Sequence, residues 1–101
     1  MKLTRERLEA VHIYIDYLLK MYPAENKAEM LVQLMVNRVR IKMRNRLDQL
    51  NKRNGYRVNL TQEEAMAFEI WFNQMPRQES IFIYENNIVR QLCNDIDKQY
   101  G

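Results

Sequence analysis

The chain has 101 residues, 47% of them hydrophobic and 29% charged, with a net charge of +3. That supports one modest core, is too short for two, and excludes a chain unable to fold for want of apolar surface. No run approaches the roughly 18 to 20 apolar residues that cross a bilayer. The opening MKLTRERLEAV is charged where a signal peptide would be apolar. Cys93 is the one cysteine, so no internal disulfide is expected, and a reducing cytoplasm is the expected compartment. Two glycines and two prolines are too few for a sheet with tight turns. The expected fold is all-α: a single four-helix bundle-like domain over residues 1–101.

The first helix is expected from Thr4 to about Met21. The Thr4 hydroxyl is placed to accept from a free backbone N–H, Leu3 and Leu8 occupy staple positions, and Leu8, Val11, Ile15, Leu18 and Leu19 form an apolar stripe. Tyr22-Pro23 stops it, because a residue before proline avoids helical angles.

Asn26 opens a second helix, with Glu29 in the reciprocal position of a capping box. It is expected to be long and central, from about 26 to 54, with Gly55 as its left-handed terminator. The stretch RVRIKMRNR (residues 38–46) alternates like a strand. At 100° per residue, however, Ala28, Val32, Met35, Val36, Val39, Met43, Leu47 and Leu50 share one arc about 100° wide, so the helix is the better reading. Met30, Leu34 and Ile41 fall on the opposite side. That second stripe marks them as a candidate oligomer interface.

A short extended segment is expected over 56–60, where Tyr56, Val58 and Leu60 alternate with polar residues. Thr61 then caps a third helix, T-Q-E-E completing a capping box, with Ala65, Phe68, Trp71, Phe72 and Met75 as its stripe and Pro76 as its stop. A fourth helix is expected from Ser80 to about Gln99, on Ile81, Tyr84, Ile88, Leu92 and Ile96. Its opening, SIFIY, is β-prone, and a minor alternative pairs 81–84 with 56–60 as strands.

Charge is unevenly spread. Residues 36–57 hold Arg38, Arg40, Lys42, Arg44, Arg46, Lys52, Arg53 and Arg57 against Asp48 alone. On the projection, Arg38, Lys42, Asn45, Gln49 and Lys52 form one polar face without an acid, and Arg40 and Arg44 flank the core stripe. Arg46 lies within the apolar arc and must snorkel or meet a carboxylate. Such a face suits phosphates or an acidic protein partner. The competing reading is a face balanced within the fold by Glu63, Glu64, Glu69 or the acidic tail. Replacing Arg38, Lys42 and Lys52 by Gln is expected to abolish any such binding and leave the fold intact. A helix-turn-helix built from the third and fourth helices, with Asn86, Asn87, Arg90 and Gln91 exposed, is a weaker geometry, because the tight glycine turn is missing.

The catalytic inventory is thin. His12 reads as a packed imidazole; with Asp16 it offers two metal ligands where a stable site needs three or four. Cys93 reads as a small buried hydrophobe. Glu63-Glu64 suits a helix N-terminus, and Asp95 and Asp97 a solvated last turn. Phe68, Trp71 and Phe72 have the spacing of a core more than of a base-stacking platform. No phosphate loop or nucleophile elbow occurs. No enzyme, cofactor, metal or small-molecule substrate is therefore expected. The expected function is that of a small helical interaction or scaffold protein that self-associates. The alternative is a nucleic-acid-binding accessory protein using the basic second helix, a regulator or structural factor of the phage or plasmid type.

Overall fold

The computed structural model describes residues 2–49, 55–76 and 82–100. In chain order its elements are β1 (Lys2–Leu3), α1 (Arg5–Met21), α2 (Lys27–Leu47), β2 (Tyr56–Arg57), α3 (Gln62–Gln74) and α4 (Ile83–Tyr100). The expected all-α architecture is present: four helices pack on one another, and the only sheet among the described residues is the two-stranded antiparallel pair β1–β2.

Local chemistry explains the helix starts. Thr4 Oγ1 accepts from Arg7 N at 3.3 Å, and Leu3 and Leu8 are both buried as the staple requires. Asn26 Oδ1 accepts from Glu29 N at 2.9 Å, but Glu29 Oε2 turns back to the N–H of Glu25 and not to that of Asn26. Thr61 and Glu64 make the full capping box. At the other ends, Tyr22 N–H bonds to Leu18 O, and Met75, just before Pro76, carries extended angles.

The core gathers one stripe from each helix. Leu8, Val11, Tyr14, Ile15 and Leu18 of α1 meet Val36, Val39, Met43 and Leu47 of α2, with Ala65, Phe68, Trp71 and Phe72 of α3 and Ile88, Val89, Leu92, Cys93 and Ile96 of α4. Tyr14, absent from the expected stripe, is fully buried. It donates its hydroxyl to Asn86 Oδ1 at 3.1 Å and stacks near Phe82, at 5.1 Å between ring centroids. Burial, aided by nearby Glu85, pushes the Tyr14 phenol up to about 12, so it serves as a donor throughout the neutral range.

Three expectations need correction. The second helix ends at Leu47, with Asp48 N–H closing on Arg44 O, and not near Asn54. Leu47 and Asp48 share a cleft with Arg5 and Glu9 at the start of α1, so further turns of α2 would have no helix to pack on. Leu50 and Lys52 lie outside the described residues. Gly55 does adopt a positive φ of 83°, but it precedes β2, where a Cβ would stand 2.8 Å from Leu3 O. The glycine serves the approach of two strands and not a helix end.

The extended segment over 56–60 narrows to Tyr56–Arg57, and its partner is the N-terminal Lys2–Leu3. Of the alternative strand at 81–84, Ile83 and Tyr84 are helical in α4 and Ile81 is outside the described residues. Tyr84 is exposed, and Val89 and Cys93 take the place given to it in the core. At one end of α4, Asn86 is buried against Tyr14, which removes it from the surface that a helix-turn-helix would need.

Candidate interaction surface

Two sets of side chains on α2, one basic and one apolar, are candidate surfaces, and the structure treats them differently. The basic set is largely occupied by neighbours. Lys42 is half-buried and donates to Glu64 Oε1 at 2.5 Å and to Asn59 O at 3.0 Å. The same Glu64 oxygen accepts from the Thr61 backbone N–H at 2.9 Å, and Glu64 is 4% exposed. Burial opposes the ionised form of Glu64, yet the hydrogen bonds from Lys42 and Thr61 prevail and hold its carboxyl below the usual 4.5. One carboxylate therefore closes the N-terminus of α3 and ties that terminus to the middle of α2. Lys42 therefore ties α2 to α3, and exchanging it for Gln would remove that ion pair together with one charge of the basic face.

The remaining basic residues follow a gradation. Arg40 Nε donates to Asn37 Oδ1 at 2.9 Å, and Arg44 Nε stands 3.6 Å from Asp48 Oδ1 on the surface. Arg38 is exposed, and its guanidinium donates to Met35 Sδ at 3.8 Å. Arg46 is half-buried and lines a groove of about 470 Å³ with Lys42, Asn45, Gln49, Val58 and Asn59. Among the described residues no carboxylate lies within ion-pair distance of Arg38 or Arg46. Lys52 is outside the described residues, so the long acid-free face reduces here to Arg38 with the amides Asn45 and Gln49.

The apolar set is open. Met30, Leu34 and Ile41 are 54%, 58% and 44% exposed. Leu31, which sequence reasoning missed, is 65% exposed beside them. It sits between the two projected stripes, where periodicity alone assigns it to neither. At 100° per residue Lys27, Met30, Leu34, Arg38, Ile41 and Asn45 share an arc about 80° wide. The outer face of α2 is thus apolar along its centre, with Lys27 and Asn45 towards its ends and Arg38 on the edge turned to α3. On α3 itself Met66 and Ile70 are also exposed; their i, i+4 spacing is a sequence signal that the stronger Phe68–Trp71–Phe72 stripe overshadows.

Other residue types with chemical potential are dispersed. His12 is half-buried with no hydrogen-bond partner for Nε2, and burial first, then the nearby Arg40 charge, lowers its pKa from 6.5. Cys93 is buried in a different cleft from the one His12 lines, and burial pushes its thiol up to about 12, away from the thiolate that a nucleophile requires. Among the described residues no three His, Cys, Asp or Glu side chains converge on a metal position, and no helix is long and apolar enough to cross a membrane. No family model, curated protein or solved structure matches this chain.

Proposed function

We propose that this chain is a small non-enzymatic helical interaction or scaffold protein that self-associates through the outer face of α2. The observation that carries this reading is the line of Met30, Leu31, Leu34 and Ile41, four large apolar side chains about half exposed or more along one helix. Scattered apolar residues are normal on a protein surface. A contiguous row is not, because each such side chain gains about 1.5–3 kcal/mol when fully buried against a partner. A helix with a second apolar face has the pattern of one shared between two bodies.

The alternative, phosphate tracking by the basic helix, draws less support. Glu64 takes up Lys42, Asp48 stands beside Arg44, and Asn37 orients Arg40. Little concentrated positive charge is left to displace counterions.

Sedimentation equilibrium over a wide concentration range tests the proposal. The wild-type chain should associate reversibly, and Leu34→Lys should be monomeric at the same concentrations with an unchanged far-ultraviolet circular dichroism spectrum. A wild-type chain that stays monomeric at hundreds of micromolar overturns the reading. Titration with duplex and single-stranded DNA and RNA at low salt addresses the alternative. Strong, steeply salt-dependent binding that Arg38→Gln weakens would favour it instead.

A further inference from the structure

We infer that the occupant of this face is α2 of a second copy, lying antiparallel across a two-fold axis midway between Met30 and Ile41. This rests on the self-association reading and adds an orientation and a register to it. The first argument is the spacing of the apolar residues. With the axis at that midpoint, Ile41 of each copy packs on Met30 of the other, twice by symmetry. Leu34 lies about 2 Å from the axis along the helix, so the two Leu34 side chains come within about 4–5 Å of one another along it. Arg38, on the α3 side of the face, extends its aliphatic stem towards Leu31 of the second copy and keeps its guanidinium at the rim. Every exposed apolar side chain of the α2 face thereby meets an apolar surface.

The second argument is charge. The charged side chains on the outer face of α2 are Lys27 and Arg38, whereas Glu25 and Glu29 line a cleft with Trp71 and Met75 on the inner side. A parallel pair would set each Arg38 directly opposite Arg38 of the second copy and each Lys27 opposite Lys27, with both macrodipoles aligned. The antiparallel pair separates these like charges along the helices and opposes the dipoles. In this register the two Arg38 residues are offset by about 7–8 Å along the helices, and Lys27 stands beside the neutral Asn45 of the second copy.

That last pair supplies the test. Lys27 and Asn45 are exposed and lie outside the apolar row, so a cysteine at either position leaves the contact intact. Cys93 is buried and is replaced by Ala to clear the background. Under mild oxidation an equimolar mixture of the Lys27→Cys and Asn45→Cys chains should form disulfide-linked mixed dimers. Each chain alone should form at least tenfold less covalent dimer, because the two Lys27 positions sit about 25 Å apart along the pair. Self-linking by Lys27→Cys alone, or no linking in a mixture that sedimentation shows to be dimeric, overturns the register while self-association stands. A strictly monomeric sedimentation profile removes both.

Discussion

Leu34 and Leu47 belong to the same helix and are the same residue, yet one is 58% exposed and the other 8%. Leu47 joins Val36, Val39 and Met43 in a row that α1 covers from the opposite direction, and α2 stops where that cover ends, beside Arg5 and Glu9. Leu34 joins Met30, Leu31 and Ile41 in a row that nothing among the described residues covers. Identical side chains therefore do different work according to which side of one cylinder they occupy. The inner row holds the chain together, and the outer row is available to a second body.

The largest expected effect comes from cutting the inner row. Leu47→Ala removes a buried side chain from a close-packed core and should lower unfolding stability by about 3 kcal/mol, through lost transfer energy plus the cavity left behind. Urea denaturation followed by circular dichroism measures it. A loss below about 1 kcal/mol would show that this end of α2 is loosely packed and that the two rows differ little in burial.

Between the rows lies the edge where Lys42 meets Glu64. Glu64→Gln keeps the side chain's shape but strips its charge from a buried position that serves Lys42 and the Thr61 N–H together. A loss of about 2 kcal/mol is expected. The carboxyl's lowered pKa also fixes a sign. The folded chain holds this proton less tightly than the unfolded chain, so the contribution is present above pH 4.5 and drains away as pH falls below it. Glu64→Gln should flatten the acid limb of the stability profile in that window.

His12 gives a smaller effect at milder pH. Its folded pKa is lowered from 6.5, chiefly by burial and then by Arg40, so the unfolded chain binds the proton more readily. Stability should therefore fall as pH drops below about 6.5 and level off below the folded value. His12→Gln should remove the slope that begins below pH 6.5 and leave the Glu64 limb in place. An unchanged slope would mean that the imidazole is hydrated in solution.

Much of this was legible in the sequence because it is written in local rules. Thr4, Asn26 and Thr61 announce helix starts through their own hydroxyl or amide groups, and the stripes of α1 and α3 repeat at helical spacing. What escaped depends on partners distant in sequence. The end of α2 falls beside the start of α1, and the strand at Tyr56 pairs with Leu3, more than fifty residues earlier in the chain. Asn86 looked like a surface amide until Tyr14, on α1, claimed it. The basic face was readable as charge, but its closure by Glu64 needed α3 folded back onto α2. In the sequence Glu63, Glu64, Glu69 and the acidic tail are all possible counter-ions, with nothing in the spacing to choose between them.

The smallest expected effect on stability is also the one that bears most on function. Leu34→Ala trims the same atoms as Leu47→Ala, but from a side chain already more than half in water. The dilute monomer has little burial to lose there, and Ala and Leu are both strong helix formers, so unfolding stability should change by less than about 0.5 kcal/mol. Association should nonetheless weaken, because each copy contributes this residue beside the two-fold axis and every dimer loses two of them. Measured together, denaturation at low concentration and sedimentation at high concentration separate the two roles. If Leu34→Ala lowers monomer stability as much as Leu47→Ala does, the outer row is part of the fold's own core and the surface has been misassigned. If it moves only the association constant, the two sides of α2 divide folding from assembly.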